Sequence, residues 1–298
     1  MPFAQINDID VHYQIAGEGP PLLLFAPGGF RSVLSRWTAE GGKGVFKEMD
    51  ALRTLAQHFT VIAYDRRESG LSGGRIEPLS WDLYVEEALG VLDLAGAQKA
   101  FVLGACMGAS LAMALAARHP TRCQGLLLHW PVAGYRWMKT MHDYFDRHVR
   151  FVREHGLAAV VERAPRGDNF FLDPEIGPWG SPTVIDPAFA AHFLQQPIEP
   201  YLDIVCESRD RLFADTMPSG LTGAELMTIE TPALIMSGSD WAHTRSGAWT
   251  IQELMPAARL WEVWPEAQTA GNTLAAMLEF MGEVEGDGGE RILRRQGA

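Results

Sequence analysis

Five consecutive residues, Gly104-Ala105-Cys106-Met107-Gly108, set a thiol between two glycines. They lie where a short apolar run, Phe101-Val102-Leu103, gives way to an Ala/Leu/Met-rich segment at 111–118. The run reads as a buried strand and the segment as a helix. G-x-C-x-G at such a junction is the context of a nucleophile elbow, in which a sharp turn forces strained backbone angles on the central residue and presses neighbouring chain against it. The side chain at the tip projects from the sheet edge at a helix N-terminus, where partial positive charge favours a thiolate. A second chemical group is His129, which ends the apolar run Leu126-Leu127-Leu128 and precedes Trp130-Pro131. Ligands gather at the carboxyl ends of parallel strands, so His129 is a candidate substrate contact or base.

These groups need a scaffold, and the chain is long enough to supply one. Its 298 residues accommodate one large α/β domain with an inserted piece, and 47% hydrophobic with 21% charged residues suits a sizeable core. A net charge of −12 argues against nucleic acid and anionic membranes as main partners. The three cysteines, Cys106, Cys123 and Cys206, include no C-x-x-C pair and make a poor disulfide framework. No zinc-type Cys/His spacing occurs. No signal-peptide pattern and no apolar run of membrane-spanning length is visible, so a soluble cytoplasmic protein is expected.

Alternating residues at 3–7 and 9–15 predict an edge hairpin. Residues 22–25 form an apolar strand buried on both faces. An amphipathic helix is expected over 45–58, a strand over 59–64 and a helix over 81–95. After residue 131 the strand-helix alternation lapses. A long helix at 135–155, Pro/Gly-rich turns at 165–187 and further helices at 187–194 and 201–213 precede a strand at 231–236. A helix at 249–255, a last strand at 260–264 and a last helix at 273–281 follow, and the tail after Gly282 reads as frayed.

The strand-elbow-helix unit resembles the α/β-hydrolase superfamily, across essentially residues 3–281. Most members carry serine at the elbow; a minority, among them dienelactone hydrolases and polyhydroxyalkanoate synthases, carry cysteine. The resemblance implies an α/β-hydrolase fold, a mostly parallel sheet flanked by helices, with a core at 1–131 and 230–298 and a helical cap at 132–229. It makes Ala26-Pro27-Gly28-Gly29-Phe30 the oxyanion loop, with backbone N–H groups of Gly29 and Met107 as donors. Asp65-Arg66-Arg67-Glu68-Ser69-Gly70-Leu71-Ser72 is similar to the superfamily's D-x-R-G-x-G-x-S turn, with Asp65 and Arg67 as structural residues. Substrate-pocket candidates are Gly28, Phe30, His129, Trp130 and Trp241.

The superfamily order is nucleophile, acid, histidine. Asp240, in Gly238-Ser239-Asp240-Trp241-Ala242-His243, stands one residue earlier than the usual acid. The loop expected to carry the histidine, 264–272, contains none, and His243 is the last histidine in the chain. In one reading His243 takes over as general base for a Cys106 nucleophile, oriented by Asp240 or Glu266. A thiol, with a free pKa of about 8.5, tolerates such a displaced base better than a hydroxyl does. The product would be a cofactor-independent, metal-free hydrolase or acyltransferase acting on a small, partly apolar ester, lactone or thioester. In the other reading the pocket serves a lyase, isomerase or decarboxylase, or binds a ligand without turnover. A homodimer is an assembly compatible with this sequence.

Overall fold

The protein is described from a computed structural model, covering residues 2–166, 169–214 and 221–287. Eight strands form one sheet: β1 (Phe3–Ile6), β2 (Ile9–Ala16), β3 (Pro21–Phe25), β4 (Thr60–Tyr64), β5 (Ala100–Ala105), β6 (Cys123–His129), β7 (Ala233–Met236) and β8 (Ala258–Leu260). Their order is β1-β2-β4-β3-β5-β6-β7-β8. β1 and β2 form the expected hairpin, turned by Asn7 and Asp8 with φ of 50° and 62°. Two consecutive left-handed residues make a turn whose twist matches that of the strands. β2 runs antiparallel to β4, and every pairing from β4 through β8 is parallel. Leu22, Leu23 and Leu24 are wholly buried, as two-sided coverage requires.

The helices are α1 (Gly44–Met49), α2 (Ala51–Leu55), α3 (Trp81–Leu94), α4 (Met107–Arg118), α5 (Tyr135–Arg163), α6 (Gly180–Ile185), α7 (Pro187–Leu194), α8 (Ile198–Leu212), α9 (Gly223–Leu226), α10 (Arg245–Leu254) and α11 (Ala270–Asp287). α5 to α9 all lie between β6 and β7 in the chain. One apolar cluster, on one side of the sheet, contains Leu23, Val102 and Leu128; the other contains Leu24, Leu103 and Leu127. Residues pointing alternately to the two faces of each strand explain this division.

Several expected boundaries move. The single helix expected over 45–58 is two short ones, because Asp50 adopts φ 48°, ψ 62°. Aspartate tolerates this conformation, and here its carboxylate accepts from Ala39 N–H and pairs with Arg53. The apolar spacing runs on across the break, so periodicity does not reveal it. α5 extends past the expected end at 155 by turning at Gly156 (φ 75°) and continuing to Arg163. The last strand lies earlier than 260–264, since beyond Leu260 the ladder continues only through Trp261 N–H to Ile235 C=O. The last helix is longer than expected. Thr269 and Asn272 cap its start reciprocally, and it carries on through Gly282 to Asp287; the tail from 288 lies outside the described residues.

Strand register brings four loops to one level. Phe25 pairs with Gly104, Ala105 with His129, and His129 with Met236. The chain leaving β3, β5, β6 and β7 therefore emerges side by side. Between β5 and α4 the crossing is tight: a Cβ on Gly104 would lie 2.2 Å from the Gly108 carbonyl oxygen, and one on Gly108 2.2 Å from that of Phe25. A methyl at Gly104 has to displace backbone. Gly104→Ala is expected to lower stability by about 2–3 kcal/mol, read from urea denaturation. Gly282→Ala, with nothing within 4 Å of its Cβ, should leave the midpoint equal or higher. A Gly104→Ala midpoint matching wild type would show the close crossing to be unnecessary.

Candidate active site

Cys106 stands between β5 and α4 with φ 57°, ψ −123°. That is strained backbone for a residue with a Cβ, held because the surroundings fix it from both sides. Its N–H donates to the His129 carbonyl at 3.0 Å, and its own carbonyl accepts from Ala109 N–H at 3.1 Å. The thiol is partly exposed. It faces a cavity of about 470 Å³, whose lining includes Gly28, Gly29, His129, Trp130, Asp240, Trp241 and His243.

The loop after β7 supplies an imidazole and a carboxylate. Asp240 Oδ1 accepts from the N–H groups of Ala242 and His243 at 2.8 and 2.9 Å, folding the loop around the acid. His243 Nδ1 lies 2.9 and 2.8 Å from the two Asp240 oxygens, so Nδ1–H donates to the carboxylate. Nε2 is buried, with no hydrogen-bond partner among the described residues, and the Cys106 thiol lines the same cavity. Burial works against a charged imidazole. Hydrogen bonding and charge from Cys106, followed by those from Asp240, outweigh it and raise His243 to about 9. Burial tends to raise Asp240, but its hydrogen bonds to His243 and Ala242 prevail and hold it below the ordinary carboxylate range. Glu266, the other acid considered for orienting His243, is exposed and makes no such contact.

His129 takes a different position. It is buried, stacked parallel to Trp130 and packed against Phe46, and it has no carboxylate partner. Burial, with the nearby His243 adding to it, lowers His129 to about 3, so it is neutral near pH 7. Phe30 departs from expectation. Gly29 has φ 55°, and the turn that follows carries the Phe30 ring away from this cavity to pack edge-on against Phe145 and Phe170. It lines a different cavity, beside Arg31, Asp65 and Ile176.

Residue types and spacing did not mark two supporting contacts. Arg66 donates to the Gly29 carbonyl while its guanidinium lies 4.2 Å from the Tyr84 ring centroid. This fixes the peptide plane beside the candidate oxyanion donors. The Gly29 Cβ position would be 3.7 Å from Met107 Sδ, which brings the two donor segments together. Asp65 accepts from His12 Nδ1–H, Leu34 N–H and Leu71 N–H, and Arg67 pairs with Glu68 and Glu77. Both serve the turn rather than the cavity. In the loop where a histidine was sought, Gln268 Oε1 accepts from Trp130 Nε1–H at 2.7 Å, and its Nε2 donates to the carbonyls of Ser237 and Val263. Gln268 thus ties the loops after β6, β7 and β8 together. Among the described residues no group of three or more His, Cys, Asp or Glu side chains is arranged to hold a metal ion. No helix among them is long and apolar enough to cross a membrane.

A sheet of this order with an elbow after β5 defines an α/β-hydrolase. Residues 21–265 match the alpha/beta hydrolase fold family, and the chain belongs to it. Among its relatives, RutD of Azorhizobium caulinodans, named as a carbamate hydrolase, is 34% identical over 175 residues, 58% of each chain. A 2-hydroxymuconate semialdehyde hydrolase of Pseudomonas putida is 35% identical over 112 residues, 38% of this chain and 36% of that one. The matched stretches thus span less than two thirds of these relatives. The crystal structure of the enol-lactonase from Burkholderia xenovorans LB400 superposes with a TM-score of 0.58 at 25% identity, covering 95% of this chain and 98% of that one.

The His243 environment sets a pH dependence. By NMR, the His243 imidazole should titrate near pH 9 in the wild type and at lower pH in Asp240→Asn and in Cys106→Ala. Because its folded value lies above the ordinary 6.5, its contribution to stability is full below about pH 6.5 and is lost as pH rises through about 9. The unfolding free-energy difference between wild type and His243→Gln should shrink over that window. An unchanged titration in both variants would show that neither group acts on the ring.

Proposed function

We propose that this chain is a cofactor-independent hydrolase, from a cysteine-bearing branch of the family, that attacks an activated carbonyl through Cys106. The observation that carries this reading is the Asp240–His243 pair lining one cavity together with a thiol held at a positive-φ elbow. A nucleophile, a base and a group that orients the base are what acyl transfer to a side chain requires. The relatives' names point the same way, since a carbamate, a hydroxymuconate semialdehyde and an enol lactone all present an electrophilic carbonyl.

In this reading the thiol proton rests on His243 Nε2, as its raised value near 9 allows, and the thiolate attacks the carbonyl carbon. A C–S bond forms while the C=O π pair moves to oxygen, where the N–H groups of Gly29 and Met107 receive it. The Met107 N–H opens α4 and has no intrahelical acceptor. Collapse restores the carbonyl and expels the leaving group, which takes the proton from Nε2. Water, deprotonated by His243, then attacks the thioester, the C–S bond breaks, and the acid departs as the thiol is reprotonated. An alcohol or amine acceptor would use the same steps and give acyl transfer. Asp240 keeps the ring in the tautomer that leaves Nε2 toward the thiol. His129, without an orienting acid, contributes wall rather than base. The helices between β6 and β7 act as a cap that excludes water, with Trp137, Phe171 and Leu172 on the cavity.

Intact-mass analysis after brief mixing with small aryl esters and thioesters tests this directly. One acyl adduct per chain, absent in Cys106→Ala, is expected. Turnover should fall by at least about 10³ in Cys106→Ala and by about 10²–10³ in His243→Ala. Equal turnover in wild type and Cys106→Ala would refute the covalent route.

A further inference from the structure

The segment between α5 and α6 brings a side-chain amide to the cavity, and the proposed chemistry gives it no task. Asn169 lines the cavity with Phe171 and Leu172 and is only 3% exposed. Its acceptors are committed to its own turn. Oδ1 accepts from Phe171 N–H at 2.9 Å and from Leu172 N–H at 3.2 Å. The main-chain carbonyl accepts from Leu172 N–H at 3.1 Å and from Asp173 N–H at 2.9 Å.

These bonds decide which way the amide faces. Turned over, Nδ2 would meet two N–H groups with no lone pair to offer them. The donor end therefore points away from the turn, and Nδ2 has no hydrogen bond among the described residues. Trp137 Nε1, on the same wall, is also unpartnered but fully enclosed; Asn169 Nδ2 is not shut in that way. The wall around it is apolar. Trp137 stacks on Phe171 with ring centroids 6.1 Å apart, and Trp241 lies 6.0 Å from Trp137. An amide donor left without an acceptor in such surroundings is costly, and a few fixed polar groups on an apolar wall are what orient a small ligand.

We infer that Asn169 is a specificity residue whose Nδ2 donates to a second oxygen of the substrate. That oxygen is a ketone- or ester-type carbonyl set apart from the carbon that Cys106 attacks. This rests on the hydrolase reading above and adds the substrate class. With Oδ1 occupied twice, the amide offers donors only, so it fits an oxygen that only accepts. A hydroxyl would bring a proton that needs an acceptor of its own. Because a buried donor goes unpaired when the acceptor is missing, such a site rejects the analogue that lacks it. Cys106 stands on the sheet and Asn169 between β6 and β7 in the chain, so a substrate touching both is held at each end.

Asn169→Asp tests the donor alone. A carboxylate oxygen can accept the Phe171 and Leu172 N–H groups as the amide oxygen does, while the N–H donors are gone. The substrates are 4-nitrophenyl esters of 4-oxopentanoic, 5-oxohexanoic and 6-oxoheptanoic acids beside those of the parent pentanoic, hexanoic and heptanoic acids. Each rate is divided by that of spontaneous hydrolysis. In the wild type the best oxo ester should exceed its parent by at least about tenfold in kcat/KM. In Asn169→Asp and in Asn169→Ala that ratio should fall to about one, through loss of the oxo ester's advantage. Binding separates this from the chemistry. Followed by tryptophan fluorescence, Cys106→Ala should bind the methyl ester of the best oxo acid at least about fivefold more tightly than its parent, whether or not the wild type turns over. The Asn169 Nδ2–H₂ NMR signals, identified by their loss in Asn169→Asp, should shift with the oxo ester and stay in place with the parent. No oxo preference in binding, or one that survives Asn169→Asp, would overturn the inference. An oxo preference with unmoved Nδ2–H₂ signals would overturn it as well. An oxo preference in binding that Asn169→Asp removes, with no acyl adduct on the wild type, would uphold Asn169 and refute the hydrolase reading.

Discussion

Nothing larger than hydrogen fits on either side of the Cys106 elbow, and the rest of the site depends on that fact. Gly104 meets the Gly108 carbonyl and Gly108 meets the Phe25 carbonyl, so β3, β5 and α4 touch backbone to backbone. The contact holds Cys106 at φ 57° against its own preference. It also seats the start of α4 beside the loop after β3, so that the N–H at a helix end and the Gly28-Gly29 turn face one small volume. Arg66 braces that turn by way of the Gly29 carbonyl. Behind Arg66, the turn 65–72 is held by polar contacts: Asp65 takes three donors, Arg67 pairs with Glu68, and Glu87 accepts from the Arg67 N–H. Burial pushes Glu87 up to about 8, and the positive charge of Arg67 opposes that rise.

Where an acid and a base would sit on two loops in the family's usual arrangement, the proposed pair comes from the single loop after β7. Asp240 and His243 are three residues apart, and the carboxylate bonds the backbone N–H and the ring of the same histidine. The pair is consequently organised by a few residues of local chain rather than by the meeting of two strand ends. In that proposal the loop after β8 takes no part in chemistry. Gln268 uses it for structure, bonding the Trp130 indole and the Ser237 carbonyl. Trp130 in turn lies between His129 and His243, with ring centroids 5.6 and 5.8 Å away. An amide suits that position, because Gln268 donates and accepts at once without changing charge.

The cavity joins two environments. The buried Trp137 ring of α5 and the half-buried rings of Phe171 and Trp241 give it an apolar side, and the segment after β3 contributes polar and charged residues to its lining.

Much of the fold was legible in the chain because its signals are local. The apolar runs at 22–25, 101–103 and 126–128 could only be two-sided strands, and G-x-C-x-G between a strand and a helix announced the turn at Cys106. The spacing of Asp240 and His243 allowed a bond between them, since three residues of loop bring an aspartate within reach of a histidine ring. Tertiary structure decided the rest. Asp50 broke a helix whose apolar period ran on unbroken. Phe30 swung away to pack on Phe145 and Phe170 because Gly29 turned the chain. Only the folded chain shows that the His243 ring meets a carboxylate while His129 is sealed between Trp130 and Phe46. The links from Arg66 to Gly29 and from Gln268 to Trp130 span 37 and 138 residues. Sequence patterns record what a residue does to its neighbours in the chain. Contacts closed across the sheet are set by register, and only the folded molecule holds that information.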